Sequence, residues 1–125
     1  PARPANATAK TKKMGNTLAR SLVFQPPATY VTCESICAHH VDASHAWLET
    51  RLGSRIECFY VDRRAKTTIL FSHANAEDVA TVFAWLRDLS MRLQVNVCAY
   101  SYTGYARSDR APSERDVYAD ADAAW

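Results

Sequence analysis

The sequence predicts an α/β fold, and an incomplete one: a β-hairpin followed by a parallel strand–helix–strand–helix. Three observations predict it. Two short apolar, β-branched runs, TTILFS (67–72) and VNVCAYS (95–101), read as strands buried on both faces. Between them Val79, Val82, Phe83, Leu86, Leu89 and Leu93 recur at helical spacing as one continuous apolar face. A strand–helix–strand of this length requires parallel pairing through a right-handed crossover. A second helical pattern then follows with no strand after it, although a parallel sheet needs both faces covered. The chain therefore reads as the first half of an α/β domain.

In chain order, residues 1–20 are rich in Ala, Thr, Lys and Pro with almost nothing large and apolar, the composition of a disordered basic extension. The domain portion is expected over residues 21–125. An apolar run, 21–24, stops at Gln25-Pro26-Pro27, an extended segment. The weak alternation of His45–Thr50, the turn Arg51-Leu52-Gly53-Ser54 and the run Ile56–Asp62 form the hairpin. After TTILFS, Asn75 is placed to cap the next helix, with Glu77 and Asp78 in its first turn. Ser113 opens the last helix with Asp116 three residues on, and Val117, Ala121, Ala124 and Trp125 share one side of it.

Composition excludes several functions. The chain has 125 residues, 48% hydrophobic and 22% charged, ordinary for one globular domain. It has only three glycines, Gly15, Gly53 and Gly104, against about nine at average usage. Neither a dinucleotide fingerprint nor a phosphate-binding P-loop can be written with that spacing, and no G-x-S-x-G nucleophile elbow is present. Net charge is +2, but residues 1–20 hold five bases and no acid, so the other 105 carry ten bases and thirteen acids, or −3. A folded part of that sign is a poor nucleic-acid binder, whereas the basic tail fits contact with anionic lipid at a membrane surface or with nucleic acid, and more often such a tail is simply solvated. The four cysteines form no C-x-x-C pair and fit free thiols in a reducing compartment. Met14-Gly15-Asn16-Thr17-Leu18-Ala19 is close to a myristoylation start, which makes Gly15 a candidate lipidation site if Met14 is an initiator.

Two constellations carry chemistry. Cys33, Cys37, His39, His40 and His45 fall within thirteen residues, yet they lack the tight, repeated pairing of zinc ligands, so no metal site is assigned and no cofactor is expected. More informative is Ser72-His73-Ala74-Asn75-Ala76, where a strand runs directly into a helix. Backbone N–H groups at such a junction are free to bind an anion or oxyanion. A plain strand–helix connection is the alternative reading of the same residues.

With these motifs the chain resembles the alpha/beta-hydrolase superfamily and, within it, the protein depalmitoylase group called alpha/beta hydrolase domain-containing protein seventeen. LVFQPPATY (22–30) is similar to that group's Pro-Pro-x-x-Thr-Tyr opening, and TTILFSHANAEDV (67–79) to its Ser-His-Gly-Asn-Ala loop. NVCAYSYTGYARSDRAPSERDVYADADAAW (96–125) matches its Tyr-Asp-Tyr-Ser-Gly-Tyr-Gly loop and the helix after it without a gap. The resemblance implies the N-terminal half of an alpha/beta-hydrolase fold and a serine thioesterase that removes palmitate from membrane-associated, acylated protein substrates, at the cytosolic face of membranes or in the cytoplasm. It places the catalytic Ser, Asp and His downstream of the matched region, so none of the triad is expected in this chain. The chain's own contribution would be an oxyanion donor from the loop His73, Ala74, Asn75 and Ala76.

The departures from the group are of one kind. Ala74, Ala106 and Arg110 stand where the group has glycine, and Ser101 where it has aspartate. Each lost glycine removes easy access to φ > 0. The group's N-terminal cysteine cluster has no counterpart before Cys33. Two functions follow: a fragment of a serine hydrolase, inactive as written, or a non-catalytic interaction module built on the half-fold.

Overall fold

The computed structural model describes residues 18–28 and 31–125. Gly15 and most of the basic extension lie outside the described residues, and residues 18–20 belong to a helical segment, α1, over 18–23. The other elements are α2 (Cys33–Cys37), β1 (Ala43–Glu49), β2 (Arg55–Val61), β3 (Thr68–Ser72), α3 (Val79–Leu93), β4 (Asn96–Tyr100) and α4 (Glu114–Ala124).

The four strands form one mixed sheet in the order β1-β2-β4-β3. β1 and β2 pair antiparallel, with Ala43 opposite Val61 and Glu49 opposite Arg55. β3 and β4 pair parallel, with Thr68 opposite Asn96 and Ser72 opposite Tyr100. The hairpin turn closes through Thr50 N–H to the Ser54 carbonyl at 2.8 Å, and Gly53 takes φ +78° there, a backbone conformation that disfavours a Cβ.

Alternation along the strands feeds two cores. Phe59, Val61, Val97 and Ala99 face α3 and α2, packing on Val79, Val82, Phe83, Leu86, Cys33 and Cys37. Ile56, Cys58 and Tyr100 face the other way, against Ala121, Ala123 and Ala124 of α4. The result is three layers, helix–sheet–helix.

Four details differ from the sequence reading. β3 is an edge strand among the described residues, and Ile69, Leu70 and Phe71 are only half-buried. The expectation of full burial on both faces fails because nothing described pairs with its outer side. The apolar face of α3 ends early: Leu93 is exposed, and Ser90 is the buried residue instead, its hydroxyl donating to the Val95 carbonyl at 2.7 Å. On α4 the buried residues are Asp116, Ala119 and Asp120, whereas Trp125 is exposed. Asp120 is drawn inward because it accepts hydrogen bonds from the Thr103 N–H and hydroxyl, both at 2.8 Å.

The fourth concerns the helix start. Asn75 does not cap α3. The cap is Asp78, in a capping box with Thr81 in which each residue's side chain accepts from the other's backbone N–H at 2.9 Å. Asp78 can close that box because it lies three residues before Thr81, whereas Asn75 is drawn away by partners far along the chain.

Candidate functional site

The loop from Ser72 to Asp78 leaves the C-terminal end of β3, beside the C-terminal end of the parallel strand β4. Ligands of open α/β sheets bind outside that edge. The parallel pairing alone puts the loop there.

His73 is buried and fixes the loop from within. Its Nδ1–H donates to the Ala74 carbonyl at 2.8 Å, and its Nε2 accepts from the Tyr102 N–H at 3.2 Å. These partners select the neutral ring with its proton on Nδ1. Burial pushes the His73 pKa down, partly offset by the Ala74 carbonyl and by Asp78 and Glu77. Tyr102 also donates its hydroxyl to the His73 carbonyl at 2.9 Å, and its ring packs 4.1 Å from the imidazole. His73 is thus a strut between the two parallel strands, with both ring nitrogens committed.

Asn75 ties the loop from outside. Its Oδ1 accepts from the Tyr105 hydroxyl at 2.6 Å and from the Gln25 N–H at 3.3 Å, while its Nδ2 donates to the Val23 carbonyl. Tyr105 is fully buried. The side chain read as a local cap instead joins three distant segments.

The peptide N–H groups then divide. The Ala74 N–H donates to Glu77 Oε2 at 3.0 Å, and the Glu77 N–H to the Ala74 carbonyl at 3.0 Å. The Asn75 and Ala76 N–H groups make no hydrogen bond among the described residues, and Ala74, Asn75 and Ala76 are exposed. Two adjacent free donors on a loop pinned at both ends can accept developing negative charge. Ser72, at the strand's end, shares a 2.7 Å hydrogen bond with the Tyr100 hydroxyl.

Position 74 needs no glycine: Ala74 is not among the residues at positive φ. Ala106 and Arg110, in the β4–α4 loop, are at φ 49° and 66°. The expected loss of conformational access is therefore real at 106 and 110 and absent at 74.

The cysteine–histidine set disperses. Cys33 and Cys37 face each other within α2 at 3.9 Å, as free thiols. His40 stacks on Phe83, His39 is exposed, and His45 Nε2 lies 3.0 Å from Glu57 Oε1. Among the described residues no three metal-ligating side chains gather. Sequence reasoning missed the role of the tyrosines. Three tyrosines within six residues, Tyr100, Tyr102 and Tyr105, at and beyond the end of β4 were the available signal.

No family model matches the chain. It is 44% identical over 78 residues to alpha/beta hydrolase domain-containing protein 17B of Xenopus tropicalis, covering 61% of this chain and 27% of that protein. Against the human 17B protein the identity is 41% over the same length, again covering 61% and 27%. With the 17C protein of Mus musculus it is 38%, covering 61% and 24%. The chain thus spans about a quarter of the length of the curated relatives it matches. Among solved structures, an alpha-beta hydrolase from Vibrio vulnificus matches with TM-score 0.62 at 17% identity, over 98% of this chain and 42% of that one. An esterase from Pyrococcus furiosus matches with TM-score 0.61 at 12% identity, over 82% and 39%. The fold is a partial alpha/beta-hydrolase fold, and the sequence is homologous to hydrolases of that superfamily.

Proposed function

We propose that this chain is the oxyanion-loop portion of an alpha/beta serine hydrolase that cleaves acyl thioesters on acylated proteins, a depalmitoylase-type activity. The observation that carries this reading is the pair of free, adjacent N–H groups at Asn75 and Ala76. They sit on a loop fixed by His73–Tyr102 on one side and Asn75–Tyr105 on the other. In such a reaction a serine hydroxyl adds to the thioester carbonyl while a histidine takes its proton, and the carbonyl oxygen becomes an oxyanion. The tetrahedral intermediate collapses with departure of the cysteine thiolate, which is protonated by that histidine. The donors at 75–76 would hold the oxyanion, while the nucleophile, acid and base would come from a longer parent chain.

One observation favours the second reading, a non-catalytic interaction module. The Glu77 carboxylate lies at the same loop, 3.0 Å from the Ala74 N–H, where its charge opposes a developing oxyanion. Turnover separates the two. The 125-residue chain should neither label with a fluorophosphonate nor hydrolyse a short acyl thioester. A longer parent chain bearing a nucleophile elbow should do both, faster still with Glu77→Gln. A parent chain that binds acylated protein but turns over no thioester, with or without Glu77→Gln, supports the module.

A further inference from the structure

Two of the four cysteines are placed to react with each other. Cys33 and Cys37 stand one turn apart on α2, their Sγ atoms 3.9 Å apart and joined by an S–H···S hydrogen bond. Both are free thiols. They lie in the core that α2 and α3 form with the sheet, Cys33 0% and Cys37 4% exposed. Cys58 packs on the opposite face of the sheet, with Ile56 and Tyr100, and Cys98 lines a cavity there with Leu70 and Ala124. The sheet thus divides the four thiols into one close pair and two that stand apart from it. The hydrogen bond from Cys33 holds the Cys37 thiol below its ordinary pKa, against the effect of burial. The same hydrogen bond, with burial, pushes Cys33 up. Burial pushes Cys58 up to about 12 and raises Cys98 as well. Cys37 is therefore the sulfur with thiolate character.

We propose that Cys33 and Cys37 are a modification site, joined reversibly in a disulfide by two-electron oxidation with a peroxide. Cys37, as thiolate, attacks the O–O bond of hydrogen peroxide. An S–O bond forms, and the hydroxide that leaves takes up the proton Cys37 has lost. Cys33 then attacks the Cys37 sulfur, the S–O bond breaks, and the departing hydroxide leaves as water with the Cys33 proton. Two thiols and one peroxide give one disulfide and two waters. The placement on α2 makes this step both possible and reversible. Residues four apart on a helix have Cα atoms about 6 Å apart, within the span of a disulfide. Their Cβ atoms, about 5–6 Å apart, must close to about 4 Å. The bond therefore bends the turn and stays easy to reduce. α2 tolerates bending because it is a single turn, closed by the Ala38 N–H to the Glu34 carbonyl at 3.1 Å and capped by Thr32. Opening of that one turn admits a peroxide to Cys37. Glu34 sits between the cysteines and holds Arg107 at 3.1 Å, so bending the turn moves a partner of the β4–α4 loop. The pair needs neither the oxyanion loop nor a parent chain.

Treating the folded 125-residue chain with equimolar hydrogen peroxide tests it, read by thiol titration and mass spectrometry. Free thiols should fall from four to two, with two hydrogen atoms lost from the intact mass, and reduced glutathione should restore all four. Cleavage after Glu34, which lies between the two cysteines, should leave its fragments joined until a reductant is added. Cys37 should react at least about tenfold faster than Cys58 or Cys98. Cys33→Ala, with an unchanged circular dichroism spectrum, should stop at a Cys37 sulfenic acid that dimedone traps. Cys58→Ala with Cys98→Ala should close the disulfide at an unchanged rate, an arm that leaves α2 intact. The proposal is overturned if four thiols survive, if Cys58, Cys98 or a second chain supplies the bond, or if Cys33→Ala still closes a disulfide. It is equally overturned if Cys37 of the natural sequence oxidises past sulfenic acid while Cys33 stays a thiol.

Discussion

The loops that leave the two parallel strands start side by side and are built in opposite ways. The β4–α4 loop is held at nearly every residue. Thr103 is bound to Asp120, Asp109 Oδ1 accepts from the Arg55 N–H, and Ser108 Oγ accepts from the Glu57 N–H. Arg110 reaches the Leu52 carbonyl and Ser54. Two of its non-glycine residues, Ala106 and Arg110, are kept in the left-handed region, at about 1–2 kcal/mol each. The β3–α3 loop is anchored through His73 and Asn75 and leaves two N–H groups free. A loop that carries strain and spends its hydrogen bonds internally is a brace. A loop held through the side chains of His73 and Asn75, with the N–H groups of Asn75 and Ala76 unspent, leaves donors open to an anion.

The rigid loop gives the largest effects. At Gly104, φ is +83° and an added Cβ would lie 2.5 Å from Pro112 Cδ and 2.9 Å from the Pro112 nitrogen. Gly104→Ala should therefore cost about 3 kcal/mol, read from the urea midpoint. Asp120→Ala strands the buried Thr103 donors and should cost about 2 kcal/mol. The same measurement on Asn75→Ala should give much less, because Ala74, Asn75 and Ala76 are exposed.

The braced end of the β3–α3 loop is pH-sensitive. The folded pKa of His73 is below the ordinary 6.5 because of burial, so the unfolded chain takes up the proton first. The stability His73 contributes is complete above pH 6.5 and is lost as the pH falls from there through the folded pKa. Denaturation midpoints measured across that window should fall for the natural sequence, and less steeply for His73→Gln. The smallest effect is a gain: Ala106→Gly should stabilise by about 0.5–1 kcal/mol, the relief at φ 49° exceeding the extra freedom of glycine in the unfolded chain. Ala74→Gly has no such strain to relieve and should not stabilise.

Much of this was legible in the sequence where the signal is local and repeated. The hairpin, β3, α3 and β4 stand within a few residues of where periodicity puts them. The loop at 73–76 follows β3 where the sequence places it, but residues 73–78, not a direct junction, separate β3 from α3. What was missed depends on distance. Asn75 and Asp78 are both good caps, and the choice between them was made by Thr81 and by Tyr105, thirty residues away from Asn75. The single turn α2 is too short for periodicity to show, although Thr32 caps it through the Ser35 N–H. Glu57, in a strand whose other buried residues are apolar, is buried because His45 and Arg107 converge on it, a pairing no spacing rule announces.

In the proposed reaction the N–H groups at 75–76, rather than the side chain of Asn75, receive the oxyanion. That assignment is tested most directly by comparing Asn75→Pro with Asn75→Ala in a longer parent chain that turns over an acyl thioester. Proline removes the N–H. Alanine keeps it and removes only the hydrogen bonds to Tyr105, Val23 and Gln25. Proline should lower kcat by about 10²–10³-fold, while alanine should stay within about tenfold of the parent. Equal losses in the two variants, or full activity with proline at position 75, would contradict it.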